Sequence, residues 1–203
     1  MRLINANANS FNLRRLLLGF FILCQVATVA GQEITESFIV DELARTQSDP
    51  DSEISLAIHA PRDFVFDFLT RRVHEYVSDA RAVEFDHDSS VQANQLGVGS
   101  ERRIIMASDE FLLQRFLVVE PPSSFAYFVD MGRSTLSAPL VYSISRYQLT
   151  ETTPETTQLD IAVVYQSSTR LLAFLVRRGF NSVLERDFAA AVAIIEAEYL
   201  ATQ

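Results

Sequence analysis

The stretch SEISLAIHAPRDFVFDFLTR, residues 52–71, constrains the fold more than any other part of the chain. Apolar and polar residues alternate from 53 to 58, which predicts a half-buried strand. Pro61 follows at once, and proline suits the first turn of a helix because its missing N–H would be unpaired there anyway. Apolar residues then recur at helical spacing, at Phe64, Val65, Phe68 and Leu69. The chain is therefore predicted to pass from one strand directly into a helix.

The rest of the chain predicts a second short helix at 73–77, then about six strands, then one long helix. The strand-like segments are RAVEFDH, GSERRIIMA, EFLLQRFLVVE, SFAYFVDM, PLVYSISRYQLTE and TQLDIAVVYQSS. Short connections between them predict an antiparallel sheet, and helices at both ends of the domain predict an α+β architecture. The long helix, at 170–200, carries an apolar stripe of Phe180, Leu184, Phe188, Val192, Ile195 and Tyr199. We expect this helix to cover the apolar face of the sheet.

The first 30 residues have the pattern of a secretory signal peptide. Arg2, Arg14 and Arg15 precede an apolar run at 16–24, and small residues at 28–30 offer a cleavage site. We therefore expect export, periplasmic or secreted, with cleavage after residue 30. The alternative is an uncleaved N-terminal membrane anchor, since residues 13–30 are about long enough to reach across a bilayer, although Gln25 and Thr28 interrupt the segment.

Charge and composition limit the chemistry and the classes of partner that the protein can have. All 17 basic residues are arginine, so catalysis through a lysine Schiff base or a lysine nucleophile is excluded. The formal net charge is −9. Such a surface repels phosphate backbones, so we expect no nucleic-acid partner. The acidic residues 31–52 are predicted to be a linker, and 53–203 to be the functional domain.

Four segments, taken in order, resemble one superfamily. They are HAPRDFVFDFLT, GVGSERRIIM, VVEPPSSFAYFV and the terminal helix at 170–200. Over 53–200 the chain resembles the START/Bet v 1-like (SRPBCC) superfamily, and within it the polyketide cyclase/dehydrase and lipid-transport group. The resemblance implies a helix-grip fold, in which a curved antiparallel sheet of about six to seven strands wraps around a long C-terminal helix, with two short helices after the first strand. It also implies an apolar cavity. Members bind lipids, sterols, quinones, polyketides or plant hormones, and some catalyse cyclisation.

The alternation of residues along the strands predicts which side chains face the cavity. In ERRIIM the face with Arg102, Ile104 and Met106 is the more apolar and is placed inward. Arg102 could orient a ligand carboxylate or hydroxyl; alternatively it lies at the cavity rim or pairs with an acid such as Asp79. The other inward faces are Leu112, Gln114, Phe116 and Val118, and Leu159, Ile161, Val163 and Tyr165.

Two strands have apolar residues on both faces, so alternation does not choose between them. Phe128 and Tyr142 are taken as their inward residues. The candidate ligand-binding residues are therefore Arg102, Ile104, Met106, Gln114, Phe116, Phe128, Tyr142, Tyr165 and Leu184.

The three histidines have no metal-ligand spacing, and no catalytic residue is assigned. We expect no metal and no cofactor. The leading hypothesis is an exported carrier for a hydrophobic small molecule such as a lipid, quinone or polyketide-like compound, with any membrane contact transient and limited to ligand exchange. The alternatives are a cyclase- or dehydratase-like enzyme on the same fold and a partner-binding module with a filled core. The sequence indicates no oligomeric state.

Overall fold

The computed structural model describes residues 34–168 and 173–203. The predicted signal segment therefore lies outside the described residues. The described helices are α1 (Glu36–Ser48), α2 (Arg62–Arg71), a 3-10 turn (Val73–Glu75) and α3 (Ala173–Ala201). The strands are β1 (Ser52–Ile58), β2 (Ala80–Asp86), β3 (Glu101–Met106), β4 (Phe111–Glu120), β5 (Ser124–Asp130), β6 (Leu140–Thr153) and β7 (Thr156–Ser167). Among these described helices, none combines the length and apolar character needed to cross a lipid bilayer.

The seven strands form one sheet in the order β1-β7-β6-β5-β4-β3-β2, and every neighbouring pair is antiparallel. One face of the sheet packs against α2 and α3 through a common apolar core that includes Phe68, Phe125, Phe188 and Ile195. The predicted α+β class and helix-grip architecture are confirmed.

The passage from β1 into α2 follows the prediction. Pro61 occupies the N-cap position with φ of −60°, a value that its ring imposes. The helix then buries Val65, Phe68 and Leu69 against the sheet. Its end is fixed to α3, because Arg72 donates hydrogen bonds of 2.6 Å to Glu198. A strand that leads directly into this helix thus closes one end of the fold.

The structure differs from the linker prediction at residues 36–48, which form α1 and pack on the opposite face of the sheet. The buried side of α1 contains Ile39 but also two polar residues, Glu42 and Thr46. The Tyr142 hydroxyl donates to Glu42 Oε2 at 2.7 Å, and Arg146 Nε donates to Thr46 Oγ1 at 2.9 Å. A helix that packs through hydrogen bonds has only a weak apolar stripe, so its acidic sequence resembled a linker.

We predict that Tyr142→Phe destabilises the protein by about 1–2 kcal/mol, because buried Glu42 loses one of its hydrogen-bond donors. The measurement is the free energy of unfolding in urea. Tyr199→Phe is the matched control, since no described residue bonds the Tyr199 hydroxyl. Equal effects of the two substitutions would show that the Tyr142–Glu42 bond does not hold α1 in place.

Candidate ligand-binding cavity

A cavity of about 300 Å³ lies between the inner face of the sheet and α3. Strands β3 to β6, the segment 73–78, the loop before β6 and α3 form its walls. From α3 come Phe180, Leu184 and Phe188, which are four residues apart and so share one side of the helix. Most of the lining side chains are apolar, as expected of a small-molecule site.

The register of the sheet places five inward residues in one row across neighbouring strands. Arg102 lies opposite Gln114, Gln114 opposite Val129, Val129 opposite Ser143, and Ser143 opposite Tyr165. Their side chains therefore share the face of the sheet that α3 covers. Gln114 and Ser143 are the polar residues of this row that line the cavity.

Of the candidate residues, Ile104, Met106, Gln114 and Leu184 line the cavity. Phe116 and Tyr165 share the same face of the sheet but lie outside the lining. The Phe116 ring packs against Arg102, and the Tyr165 ring lies 4.9 Å from that of Phe180. Ligand contact by any of these residues stays a prediction.

Arg102 is completely buried and lies behind the cavity wall. Its Nε donates to Gln114 Oε1 at 2.7 Å, and its Nη1 donates to the carbonyls of Leu69 and Thr70 at 3.2 and 2.7 Å. The guanidinium carbon lies 5.1 Å from the ring centre of Phe116. Gln114 thus stands between this cation and the cavity.

The predicted alternative partner Asp79 is exposed and makes no ion pair with Arg102. Within the part of the chain that the structure describes, no carboxylate contacts the guanidinium, and Nη2 has no hydrogen-bond partner. Arg102 is therefore a buried cation whose charge is balanced only by amide and carbonyl dipoles and by aromatic rings.

Two predicted cavity residues, Phe128 and Tyr142, face the other way. Their rings lie 6.3 Å apart, and the Tyr142 ring lies 5.2 Å from that of Phe38 in α1. Because α1 covers this face, both sides of β5 and β6 are buried, and apolar character could not identify the cavity side. The prediction was wrong for both residues.

On β5 and β6, the cavity residues that sequence reasoning missed include the alternate residues Tyr127, Val129, Ser143, Ser145 and Tyr147. The Tyr127 and Tyr147 hydroxyls lie 2.7 Å apart and share a hydrogen bond. Burial raises the pKa of Tyr147 well above its usual value. The Tyr147 hydroxyl is therefore a neutral polar group inside an aromatic wall.

Val118 was also predicted to face inward, but the register of β4 shifts between Phe116 and Val118. This irregularity places Val119 opposite Phe125, on the cavity side. A β-bulge reverses the alternation of every residue beyond it, and nothing in the sequence marked its position. The prediction of which β4 side chains face inward is therefore correct only from Leu112 to Phe116.

Solved structures share this arrangement of sheet and helix. Ara h 8.0201 matches with a TM-score of 0.53 and 15% identity, over 71% of this chain and 95% of that one. The chain has a Bet v 1-like fold.

Two further structures that share the Bet v 1-like fold are similar at low identity. XoxI from Bacillus cereus has a TM-score of 0.54 and 11% identity, over 73% and 94% of the two chains. The Zhui aromatase/cyclase from a Streptomyces species has a TM-score of 0.50 and 17% identity, over 73% and 92%. The predicted superfamily resemblance is confirmed at the level of the fold. No protein-family model and no curated protein matches the sequence.

We predict that Arg102→Met destabilises the protein by about 2–5 kcal/mol, because it leaves Gln114 Oε1 and the Thr70 carbonyl, both buried, without a donor. The neighbouring Arg103→Met is the matched control: Arg103 lies on the opposite face, half exposed, and its loss should cost at most about 1 kcal/mol. Urea unfolding of both variants makes the comparison. Similar losses at the two positions would contradict the structural role given to Arg102.

Alkaline pH gives a second test. Burial raises the pKa of Tyr76 and Tyr147 above the usual value of 10. Because the folded protein favours the neutral phenols, their contribution to stability is complete below that pH and is lost as pH rises through the higher folded-state values. We expect tyrosinate absorbance from these residues to appear together with loss of circular dichroism. Ionisation of all six tyrosines near pH 10 in a fully folded protein would contradict their burial.

Proposed function

We propose that the protein binds a hydrophobic small molecule in the cavity beneath α3. The observation that carries the proposal is an apolar-lined space of about 300 Å³ inside the fold. Small-molecule sites span roughly 300–1,000 Å³, so this one suits a compact ligand such as a single fused-ring system or a medium-length chain. Removal of apolar surface from water would supply about 25 cal/mol for each Å² buried. Binding of such a ligand requires no chemical group other than those of the residues that line the cavity.

The presence of a cavity favours this proposal over a partner-binding module with a filled core. The cyclase alternative is harder to separate from a binding function, because one solved structure of similar fold is an aromatase/cyclase. Fold alone does not transfer that activity. The described lining offers neutral hydroxyls and an amide, while the carboxylate of Asp187 is engaged by Ser78 at 2.7 Å and by Arg186. Within the described residues no three His, Cys, Asp or Glu side chains group to hold a metal. Binding is the function that these groups support best.

A substitution that fills the cavity tests the proposal. Leu184 lines the cavity from α3, so Leu184→Trp should reduce its volume and weaken binding of the neutral fluorescent probe Nile red at least about tenfold. Val40→Trp is the matched control, because Val40 is 63% exposed on α1. Fluorescence titration gives both affinities, and thermal unfolding verifies that both variants fold.

Equal Nile red affinities for the two folded tryptophan variants would place the probe outside the cavity. Absence of binding to the unsubstituted protein would leave the filled-core module as the better account. Each outcome therefore bears on the cavity itself rather than on general surface hydrophobicity.

We further propose that the protein is exported and that residues 1–30 are removed. The support is the sequence pattern alone: three arginines, an apolar run and a small-residue cleavage site. Expressed as the full chain in a secreting host, the protein should begin at Gly31, as measured by intact mass. A purified protein that retains Met1–Ala30 and sediments with membranes would support the anchor instead.

A further inference from the structure

The buried charge of Arg102 carries information about the ligand. An arginine guanidinium remains protonated in proteins, and a buried cation is unfavourable unless it is paired. Arg102 is fully buried, its Nη2 has no partner, and no carboxylate contacts it among the described residues. On the side where Gln114 separates it from the cavity, the guanidinium has no direct carboxylate partner, since the cavity carboxylate Asp187 is bound by Ser78 and Arg186.

Arg102 also fixes the orientation of the Gln114 amide. Arginine can only donate hydrogen bonds, so the atom that meets its Nε at 2.7 Å must be the amide oxygen of Gln114. The amide nitrogen is then directed away from Arg102. Gln114 is only 3% exposed, lines the cavity, and has no described partner for this nitrogen. Its two N–H groups are left to whatever occupies the cavity.

Two serine hydroxyls lie farther along the same wall, on β6. Ser143 lies one strand beyond Val129 in the row that contains Gln114, and Ser145 lies opposite Tyr127. Both serines line the cavity, both are 4% exposed, and neither hydroxyl has a described partner. Together with Gln114 they supply hydrogen-bond donors to the sheet wall of a mostly apolar cavity, while Arg186 and Asp187 pair with each other on the α3 side. A donor-rich wall in front of a buried cation is complementary to an acceptor that carries negative charge.

We infer that the cavity binds a hydrophobic molecule with a carbonyl or carboxylate oxygen, which accepts a hydrogen bond from Gln114 Nε2. This inference rests on the proposed binding function and specifies its ligand. Gln114 contacts the ligand oxygen, whereas Arg102 acts as a positioning residue that orients the amide and supplies the positive potential. The apolar part of the ligand lies against Leu112, Met106 and Leu184.

Three probes of one shape test the inference: naphthoate, methyl naphthyl ketone and isopropylnaphthalene, with the substituent on the same ring carbon. Their affinities are measured by displacement of Nile red, which is itself neutral. We expect the carboxylate and the ketone to bind at least about tenfold more tightly than the hydrocarbon, since a hydrogen bond to a charged or polar acceptor supplies the difference.

Gln114→Glu is the decisive variant. Glutamate keeps an acceptor for Arg102, so the internal pairing survives, but its second oxygen repels a ligand oxygen instead of donating to it. We expect the variant to retain isopropylnaphthalene affinity and to lose the preference for naphthoate and the ketone. Leu112→Ala, which removes apolar lining only, should weaken all three probes and leave the preference intact.

The outcomes distinguish the inference from the proposed function. Equal affinities for the three probes, or a preference that persists in Gln114→Glu, would overturn the inference while binding itself stands. Absence of binding by Nile red itself and by all three naphthalene probes would overturn both.

Discussion

The buried guanidinium of Arg102 is the interaction on which the inner structure depends. It joins neighbouring strands β3 and β4 through Gln114 and reaches the last carbonyls of α2 at Leu69 and Thr70. Neither carbonyl has a partner within the helix; Leu69 also accepts from the Tyr76 hydroxyl at 3.3 Å, whereas the Thr70 carbonyl is satisfied by the arginine. The end of α2 is thereby fixed against the sheet, and Arg72 immediately beyond it binds Glu198 of α3.

This arrangement explains why a space remains inside the fold. The sheet is covered on both faces, by α1 through hydrogen bonds and by α2 and α3 through apolar contacts. The Tyr147 ring stacks on that of Phe125 and packs at a tilt against the rings of Tyr127 and Phe188, which keeps this aromatic cluster against the sheet and the helix. The region between Gln114 and Leu184 is left open, and most of the side chains around it are apolar.

Much of this could be predicted from the sequence because local signals agreed. These signals are the alternation before Pro61, the helical spacing after it and the apolar stripe of the C-terminal helix. All three arise because one side of the element is buried, and hydrophobic patterns detect such burial well. The inward side of β3 and of the first half of β4 followed from the same rule. Patterns failed where burial was two-sided or polar. In β5 every residue but the last is buried, so Phe128 and Tyr127 could not be distinguished.

Helix α1 was missed for a related reason, since Glu42 and Thr46 form its buried side and pair with Tyr142 and Arg146 across the sheet. Such pairs are recognisable only when both members are seen together. The bulge in β4 is also a tertiary feature, because it depends on how β4 meets β5. The residues that sequence reasoning placed wrongly are thus those whose partners are distant in the chain, Phe128 and Tyr142 among them.

Native mass spectrometry of the purified protein, paired with mass spectrometry of its organic extract, tests the central claim most directly. We expect a stoichiometric adduct that is released by solvent and identified as a hydrophobic molecule. A protein that is empty after purification and that takes up no apolar probe at saturating concentration would contradict a binding function for the cavity.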